Sequence, residues 1–341
     1  MNFEELEQEF NQHNLLNEKN SMDRLKFCWE LIKSDDNKYL ETHLIFLEKA
    51  NKYFSKDLQG QFQFRKNKEK VFYFLQNKLE QNIPNKLKAT ISKIIEEFDF
   101  KTLDEYQTWI EQIKLGKRND EYDFVWSIMK SPFVEFHYDL LKDEELSKNF
   151  RQSLRTRFNE HSEKGETLLL SKLDKNEDVD FHGEIIFILG NIKGKQKDRI
   201  LTYTRELTKS ENINTRNRAI IVLGWIGKNN DFEILENTLL NDKDIECRAW
   251  SATAFYIIYD RIKSKSFRIK VFKLFKGVLK SEKEYFVIVM IIYSIQQMAK
   301  NKFGLSQKAI DDLDKNRIDL AKDKVRRYIE KEIKNDLLTK N

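Results

Sequence analysis

Five histidines, His13, His43, His137, His161 and His182, are the first residues to test for metal chemistry, and no two of them stand four apart. A helix that holds zinc through two imidazoles needs that spacing to put both on one face, so no zinc-protease helix is present. "GNIKGKQ" at 190–196 has the glycines and lysine of a phosphate loop, but it is one residue short and Gln196 replaces the hydroxyl that would hold Mg²⁺. A turn between helices accounts for it better. In "DDLDKNRID" oxygen side chains alternate from Asp312, yet Arg317 stands where a calcium loop needs glycine for its sharp turn. That segment reads as a solvated helix start. No Gly-x-Ser-x-Gly elbow occurs and no cysteine lies beside a histidine. Acid pairs such as Glu96–Glu97 or Asp143–Glu144–Glu145 carry no information in a chain with 56 acids. The expectation is a protein without catalytic residues, cofactor or metal site, acting through a surface.

The elements that build this surface are helices. Hydrophobic residues at 40% and charged residues at 34% allow burial beneath a solvated exterior, while 10 Gly and 2 Pro in 341 residues favour helix over sheet. Cys28 and Cys247 each sit in an apolar helical pattern, "LKFCWELI" and "IECRAWSATAF". No disulfide framework is expected, which suits a reducing, cytoplasmic compartment. "MNFEELEQEFNQ" is acidic, without the apolar core of a signal peptide. The most apolar run, "YFVIVMIIYSI" at 285–295, falls short of the about 20 residues that span a bilayer and reads as a buried helix. No membrane partner is expected. Charge is uneven: residues 1–150 hold 23 Lys and Arg against 28 Asp and Glu, whereas residues 151–341 hold 38 against 28. The C-terminal half can attract an acidic protein or a nucleic acid.

Three segments align without gaps: "VDFHGEIIFILGNI" (179–192), "INTRNRAIIVLGWI" (213–226) and "IECRAWSATAFYII" (245–258), at spacings of 34 and 32 residues. A period of this length marks stacked helical units. Shorter amphipathic helices, "KDRILTYTREL" and "NDFEILENTLLN", lie between them, so each unit is a helical hairpin. A looser fourth unit follows, with "FRIKVFKLFKGVLK" and "YFVIVMIIYSIQQMA" as its two helices. Gly190 and Gly224 share one repeat position, which Tyr256 takes in the third unit; a missing side chain there lets a neighbouring helix approach closely. Gly194 and Gly227 follow helix ends and read as left-handed C-terminal caps.

"IGKNNDFEILENTLLNDKDIECRAW" resembles the HEAT-repeat family: a turn after glycine, a leucine-rich helix, an aspartate-bearing turn, then a helix with Arg248 and small residues. The resemblance covers about 165 to 300 and implies an all-α solenoid of stacked antiparallel hairpins. It also implies a ladder in which a turn aspartate, Asp242 or Asp244, and the helix Arg248 link adjacent repeats, with Arg216 in the arginine position one repeat earlier. His182 stands where the first unit would have its arginine, so the ladder is expected to stop there.

The N-terminal half has no clean period but is helical by the same tests. Candidate helices are 22–33, 37–55, 62–82, 85–98, 102–115, 120–130 and 144–161, with breaks at "SDDN", "SKDLQG", "NIPN", "KLGKRND" and "KSPF". Thr102 stands three residues before Glu105, a capping-box pattern. The expected organisation is an irregular helical region over 1–160, HEAT-like repeats over 161–303, and a C-terminal capping helix within 304–341, with a soft boundary at "NEHSEKGET".

At 100° per residue, Arg216, Ala219, Ile220, Leu223 and Ile226 share the side that packs between hairpins, and Asn214, Arg218, Ile221 and Trp225 lie opposite. The family's second helices line a concave surface, so by resemblance the opposite side faces an inner groove. Moving these positions by the repeat spacings adds Glu184, Phe187 and Asn191 before, and Trp250, Thr253 and Ile257 after. Tryptophan and arginine are the side chains most enriched in binding hot spots. A second feature, "RIKSKSFRIKVFKLFKGVLK" at 261–280, has eight Lys or Arg and no acid around the apolar stripe Phe267, Val271, Leu274, Phe275 and Val278. Its fringe is solubilising or contacts phosphate without regard to sequence.

Two functions follow as expectations. The first is a non-enzymatic, protein-binding solenoid, by analogy of fold an immunity or inhibitor protein that wraps a toxin. The second rests on resemblance to HEAT-like DNA alkyl-base glycosylases, with Trp225, Trp250, Arg218 and Arg248 on nucleic acid and Glu246 as the nearest carboxylate.

Overall fold

A computed structural model describes residues 3–14, 22–33, 36–192 and 194–338. Ser34 and Asp35 of the first expected break, Lys193 of the glycine turn and the His13 side chain lie outside the described residues. No strand occurs among the described residues. Two compact units divide the chain, Met1–Arg157 and Phe158–Asn341.

The first unit runs through α1 (Phe3–Asn14), α2 (Met22–Ile32), α3 (Asn37–Lys49), α4 (Lys52–Gln61), α5 (Lys68–Glu80), α6 (Asn85–Glu96), α7 (Leu103–Lys114), α8 (Glu121–Ile128), α9 (Val134–Lys142) and α10 (Lys148–Phe158). The expected helix 37–55 is two helices. The Asn51 side chain accepts hydrogen bonds from the Tyr53 and Phe54 amides and starts α4 afresh, so the expected break "SKDLQG" lies inside a helix. Phe54, Leu58 and Gln61 are buried at helical spacing and hold that segment in register, Gly60 included. Helices α1 and α9 were not expected. Leu6 and Phe10 anchor the first, with Phe10 stacked on Phe46 at 4.4 Å; Val134, His137, Tyr138 and Leu141 form the buried stripe of the second. The capping box is present, with the Glu105 amide donating to Thr102 Oγ1 at 3.2 Å and the Thr102 amide to Glu105 Oε2 at 2.7 Å.

The second unit comprises α11 (Ser162–Asp174), α12 (His182–Asn191), α13 (Lys197–Leu207), α14 (Ile213–Ile226), α15 (Phe232–Asn241), α16 (Ile245–Ile262), α17 (Lys265–Ser281), α18 (Tyr285–Ala299), α19 (Gln307–Asp311) and α20 (Lys315–Leu338). Helices α13–α14, α15–α16 and α17–α18 are hairpins, and the second helices α12, α14, α16 and α18 pack side by side. The glycine positions explain how. A Cβ on Gly190 would meet Val222 Cγ1 at 2.8 Å and Trp225 Cε3 at 3.1 Å, one on Gly183 the Thr215 Cα at 2.9 Å, and one on Gly224 the Ala254 Cα at 3.1 Å. Each glycine marks a place where neighbouring helices approach closely.

Gly194 and Gly227 are not left-handed caps. Gly227 has φ −62°, and the glycines with positive φ are Gly116 and Gly304. They are glycines for lack of room instead: a Cβ on Gly227 would collide with the Leu223 carbonyl, and one on Gly194 with the carboxylate of Glu166. Glu166 is 1% exposed and accepts the Lys195 and Gln196 amides at 3.1 and 3.0 Å. The turn whose glycines and lysine resemble a phosphate loop therefore uses its amides to hold the chain's own carboxylate just before α13. Helix α20 buries Ile318, Ala321, Val325 and Ile329 in the same core as α16, α17 and α18. It also answers the basic helix α17 with acids, pairing Glu332 with Arg268 at 2.8 Å, Glu330 with Lys276 at 3.1 Å and Asp336 with Lys265 at 3.5 Å.

Two glycines of opposite environment test this packing. Gly190→Ala should destabilise the protein by about 1–3 kcal/mol, because Val222 and Trp225 must move. Gly277→Ala, inside α17 with nothing within 4 Å of the new Cβ, should stabilise it by about 1 kcal/mol. Thermal melts of the two variants should shift in opposite directions.

Candidate functional site

Residues chosen by repeat spacing come together on one side of α12, α14 and α16. Arg218 of α14 donates to Glu184 of α12 at 2.8 Å, and its guanidinium lies 4.3 Å from the centre of the Phe187 ring. Phe187 meets Trp225 at 4.9 Å between ring centres. The four form one patch across two helices, each of them half-buried. Ile221, Trp250 and Ile257 are likewise half-buried, and Asn191 is exposed. Thr253 differs: it is buried, with its hydroxyl donated to the Ala249 carbonyl in its own helix at 3.4 Å. A small β-branched residue in the middle of α16 is drawn under its larger neighbours.

The side continues onto α18, beyond the residues that the repeat spacing reaches. Phe286, Met290, Tyr293 and Gln297 are half-buried at intervals of four, three and four residues, and Tyr256 of α16 meets Tyr293 edge-on at 6.3 Å. Repeat length hides these residues, because α16 and α18 start 40 residues apart rather than 32 or 34. Aligning helix starts instead of a fixed period would have found them.

Arg216 donates from Nε to Asp242 at 2.8 Å and from Nη1 to the Ser210 carbonyl at 2.7 Å. One repeat on, Arg248 donates from Nε to Glu282 at 3.2 Å and from Nη1 to the Asp242 carbonyl at 2.9 Å. Each arginine thus ties the turn before its own helix to an acid in the equivalent turn one repeat later. The Asp242 carboxylate serves Arg216, and the carboxylate that serves Arg248 is that of Glu282. Asp244 caps α16 by accepting the Cys247 amide at 2.9 Å. A sequence signal existed for Glu282: "DKDI" at 242–245 and "EKEY" at 282–285 share an acid–lysine–acid pattern before a helix. At the other end, His182 is 6% exposed and its Nε2 meets the Glu177 carbonyl at 2.8 Å.

Burial pushes the Asp242 carboxyl up, but hydrogen bonds from Arg216 and the Asp244 amide outweigh it and hold the group below its ordinary 3.8. Glu282 behaves alike, with the Glu284 amide and Arg248 overcoming burial. Groups with other chemistry are committed to the core. Burial pushes the thiols of Cys28 and Cys247 up to about 12, which leaves no thiolate for nucleophilic attack. Burial also drives His161 down to about 4, and His43 and His137 each place Nε2 against a backbone carbonyl. Asp314 accepts the Arg317 amide at 3.2 Å, capping α20 where the alternating acids suggested calcium. No three His, Cys, Asp or Glu side chains gather as a metal site among the described residues. No helix among them is long and apolar enough to cross a membrane.

The ladder gives a test with a definite sign. Asp242→Asn should cost about 1–3 kcal/mol at neutral pH, since it removes the charge opposite a largely buried guanidinium. A carboxyl held low in the folded state contributes stability that is present above its unfolded value and lost as the pH falls through its folded one. The stability difference between wild type and Asp242→Asn should therefore narrow as the pH drops from about 5 to below 3.8, measured by urea titration at each pH.

Comparison with curated proteins found no match. A family model described as HEAT repeats matches residues 166–255, from the first turns of α11 to the middle of α16. The stacked hairpins and close-packed second helices of that stretch agree with the match, so residues 166–255 of the second unit are similar to HEAT repeats in sequence and in packing.

Proposed function

We propose that this chain is a protein-binding scaffold whose partner docks on the side of α12, α14, α16 and α18 that bears Phe187, Trp225, Trp250 and Tyr293. HEAT repeats usually mediate protein interactions. The observation that carries the reading is that large aromatic side chains at these positions are half-buried, keeping part of their surface in solvent, while the core stripes of the same helices are buried. A helix side used for packing alone is buried, and one used for solubility is charged. This side is neither, and its mixture of aromatic rings with a tethered arginine matches the composition of interaction hot spots.

The finer reading is an immunity or inhibitor protein in the cytoplasm that wraps a toxin. It rests on analogy of fold, in which a long, continuous inner side grips a partner over several repeats. The base-excision alternative has weaker support. Arg218 and Arg248 are already paired with Glu184 and Glu282, and Glu246 accepts a hydrogen bond from Asn217 at 3.2 Å, so the residues assigned to nucleic acid are engaged within the chain.

Affinity purification with the full chain, at low and high salt, tests the proposal. Wild type should retain one protein partner at high salt. Trp225→Ala/Trp250→Ala should lose it, with at least a tenfold drop in affinity, or about 1.4 kcal/mol. Because Trp225 also packs on Gly190, Asn191→Arg serves as a second variant that leaves the core untouched. Retention of the partner by both variants would overturn the assignment of this side. Recovery of nucleic acid alone, released by salt, would overturn the scaffold reading.

A further inference from the structure

Helix α20 is charge-segregated in a way that the protein-binding side does not use. Three of its acids, Glu330, Glu332 and Asp336, are paired with Lys276, Arg268 and Lys265 of α17. Its apolar stripe, Ile318, Ala321, Val325 and Ile329, is buried. Its outward side carries a row of cations, Lys324, Arg327, Lys331 and Lys334, all exposed and spaced by three, four and three residues, with exposed Leu320 and Leu338 in line at the two ends and the exposed acid Asp323 beside it. None of the four makes an ion pair among the described residues; Arg327 donates only to the Asp323 carbonyl one turn back. The nearby acid Asp323 lies 4.0 Å from Arg326. At 1.5 Å per residue the row is straight and about 15 Å long, and it sits on a helix anchored in the core from Ile318 to Ile333.

We infer that the outer row of α20 is a docking surface for the phosphate backbone of a nucleic-acid duplex. The charge pattern selects this occupant. A duplex carries one negative charge per about 1.7 Å of its axis, so a rigid row of cations meets several phosphates at once without needing shape or sequence. The row holds no aromatic side chain, so it offers no stacking platform for unpaired bases. An anionic membrane fits less well, because interfacial helices bind by burying a continuous apolar side, and the continuous stripe of α20 lies in the core, with Leu320, Leu337 and Leu338 exposed only towards its two ends. Binding should be independent of base sequence and strongly salt-dependent. The surface and its cations are separate from the residues assigned to protein binding, so the two proposals fail independently.

The test is fluorescence anisotropy of a labelled duplex of about 30 base pairs and mixed sequence, titrated with the full chain at several salt concentrations. Four phosphate contacts predict a slope of log affinity against log salt between about −3 and −4, or roughly a 100-fold loss from 50 to 200 mM. Lys324→Gln/Arg327→Gln/Lys331→Gln/Lys334→Gln should abolish that binding, while Lys324→Arg/Lys331→Arg/Lys334→Arg should keep it. All of these positions are exposed; a circular dichroism melt confirms that the variants fold, and Lys331→Gln/Lys334→Gln, which should lose about half the slope, gives a milder form of the same test. Unchanged binding by the quadruple variant would overturn the inference. So would absence of duplex binding by wild type, tighter binding to a single strand, or binding only to phosphatidylserine vesicles.

Discussion

At Gly183 the Thr215 backbone comes so near that a side chain could not be accommodated, and the same closeness recurs where Gly190 meets Val222 and Gly224 meets Ala254. This approach of α12, α14 and α16 is the constraint on which the second unit depends. A glycine inside a helix costs about 1 kcal/mol relative to alanine, so the burial achieved by bringing two helices together must outweigh that. It does so along whole sides: Ile185, Ile186, Ile220, Val222, Leu223, Ala252, Phe255 and Ile258 are all at most 1% exposed. Where the third unit carries Tyr256 instead of glycine, that ring is half-buried and leans on Tyr293 of the next helix.

Packing helices this closely leaves their turns to be fixed separately, and arginines fix them. Arg216 and Arg248 each gather two carbonyls from the turn before their helix and a carboxylate from the equivalent turn one repeat later. A guanidinium suits the task, since its planar fork of donors serves several acceptors at fixed angles and keeps its charge when partly desolvated. The same logic, in reverse, fixes the start of α13, where the buried Glu166 accepts the two backbone amides that immediately precede the helix. The repeats are thus held by apolar contact along their lengths and by ionised groups at their ends.

With core and turns satisfied, the sides left over become available for recognition. On the second helices the remainder is largely aromatic and half-buried; on α20 it includes a row of lysine and arginine, while three acids of the helix have been drawn to α17. The distinction arises from neighbours. A helix beside another helix buries its stripe and keeps large side chains at the margin, whereas a helix with one open side collects charge there.

Much of the second unit was legible in the sequence, because repetition within one chain compares each position with its equivalents. Spacings of 34 and 32 residues found the hairpins, the close-approach glycines and the patch of Glu184, Phe187, Arg218 and Trp225. Repetition could not show that Gly194 makes room for Glu166, 28 residues earlier, or that Glu282 answers Arg248, because those partners meet only after the helices stack. It also missed the extension onto α18, where a longer α17 breaks the period. In the first unit local patterns identified most helices and the Thr102 capping box, but the split at Asn51 and the existence of α1 and α9 depended on which apolar residues found a core. Sequence by itself determined the helices of the repeats and which side of each is apolar, since both follow from short-range periodicity. Tertiary structure alone decided which charges pair with one another, because an ion pair forms between groups 26, 34 or 64 residues apart only once packing has brought them within reach.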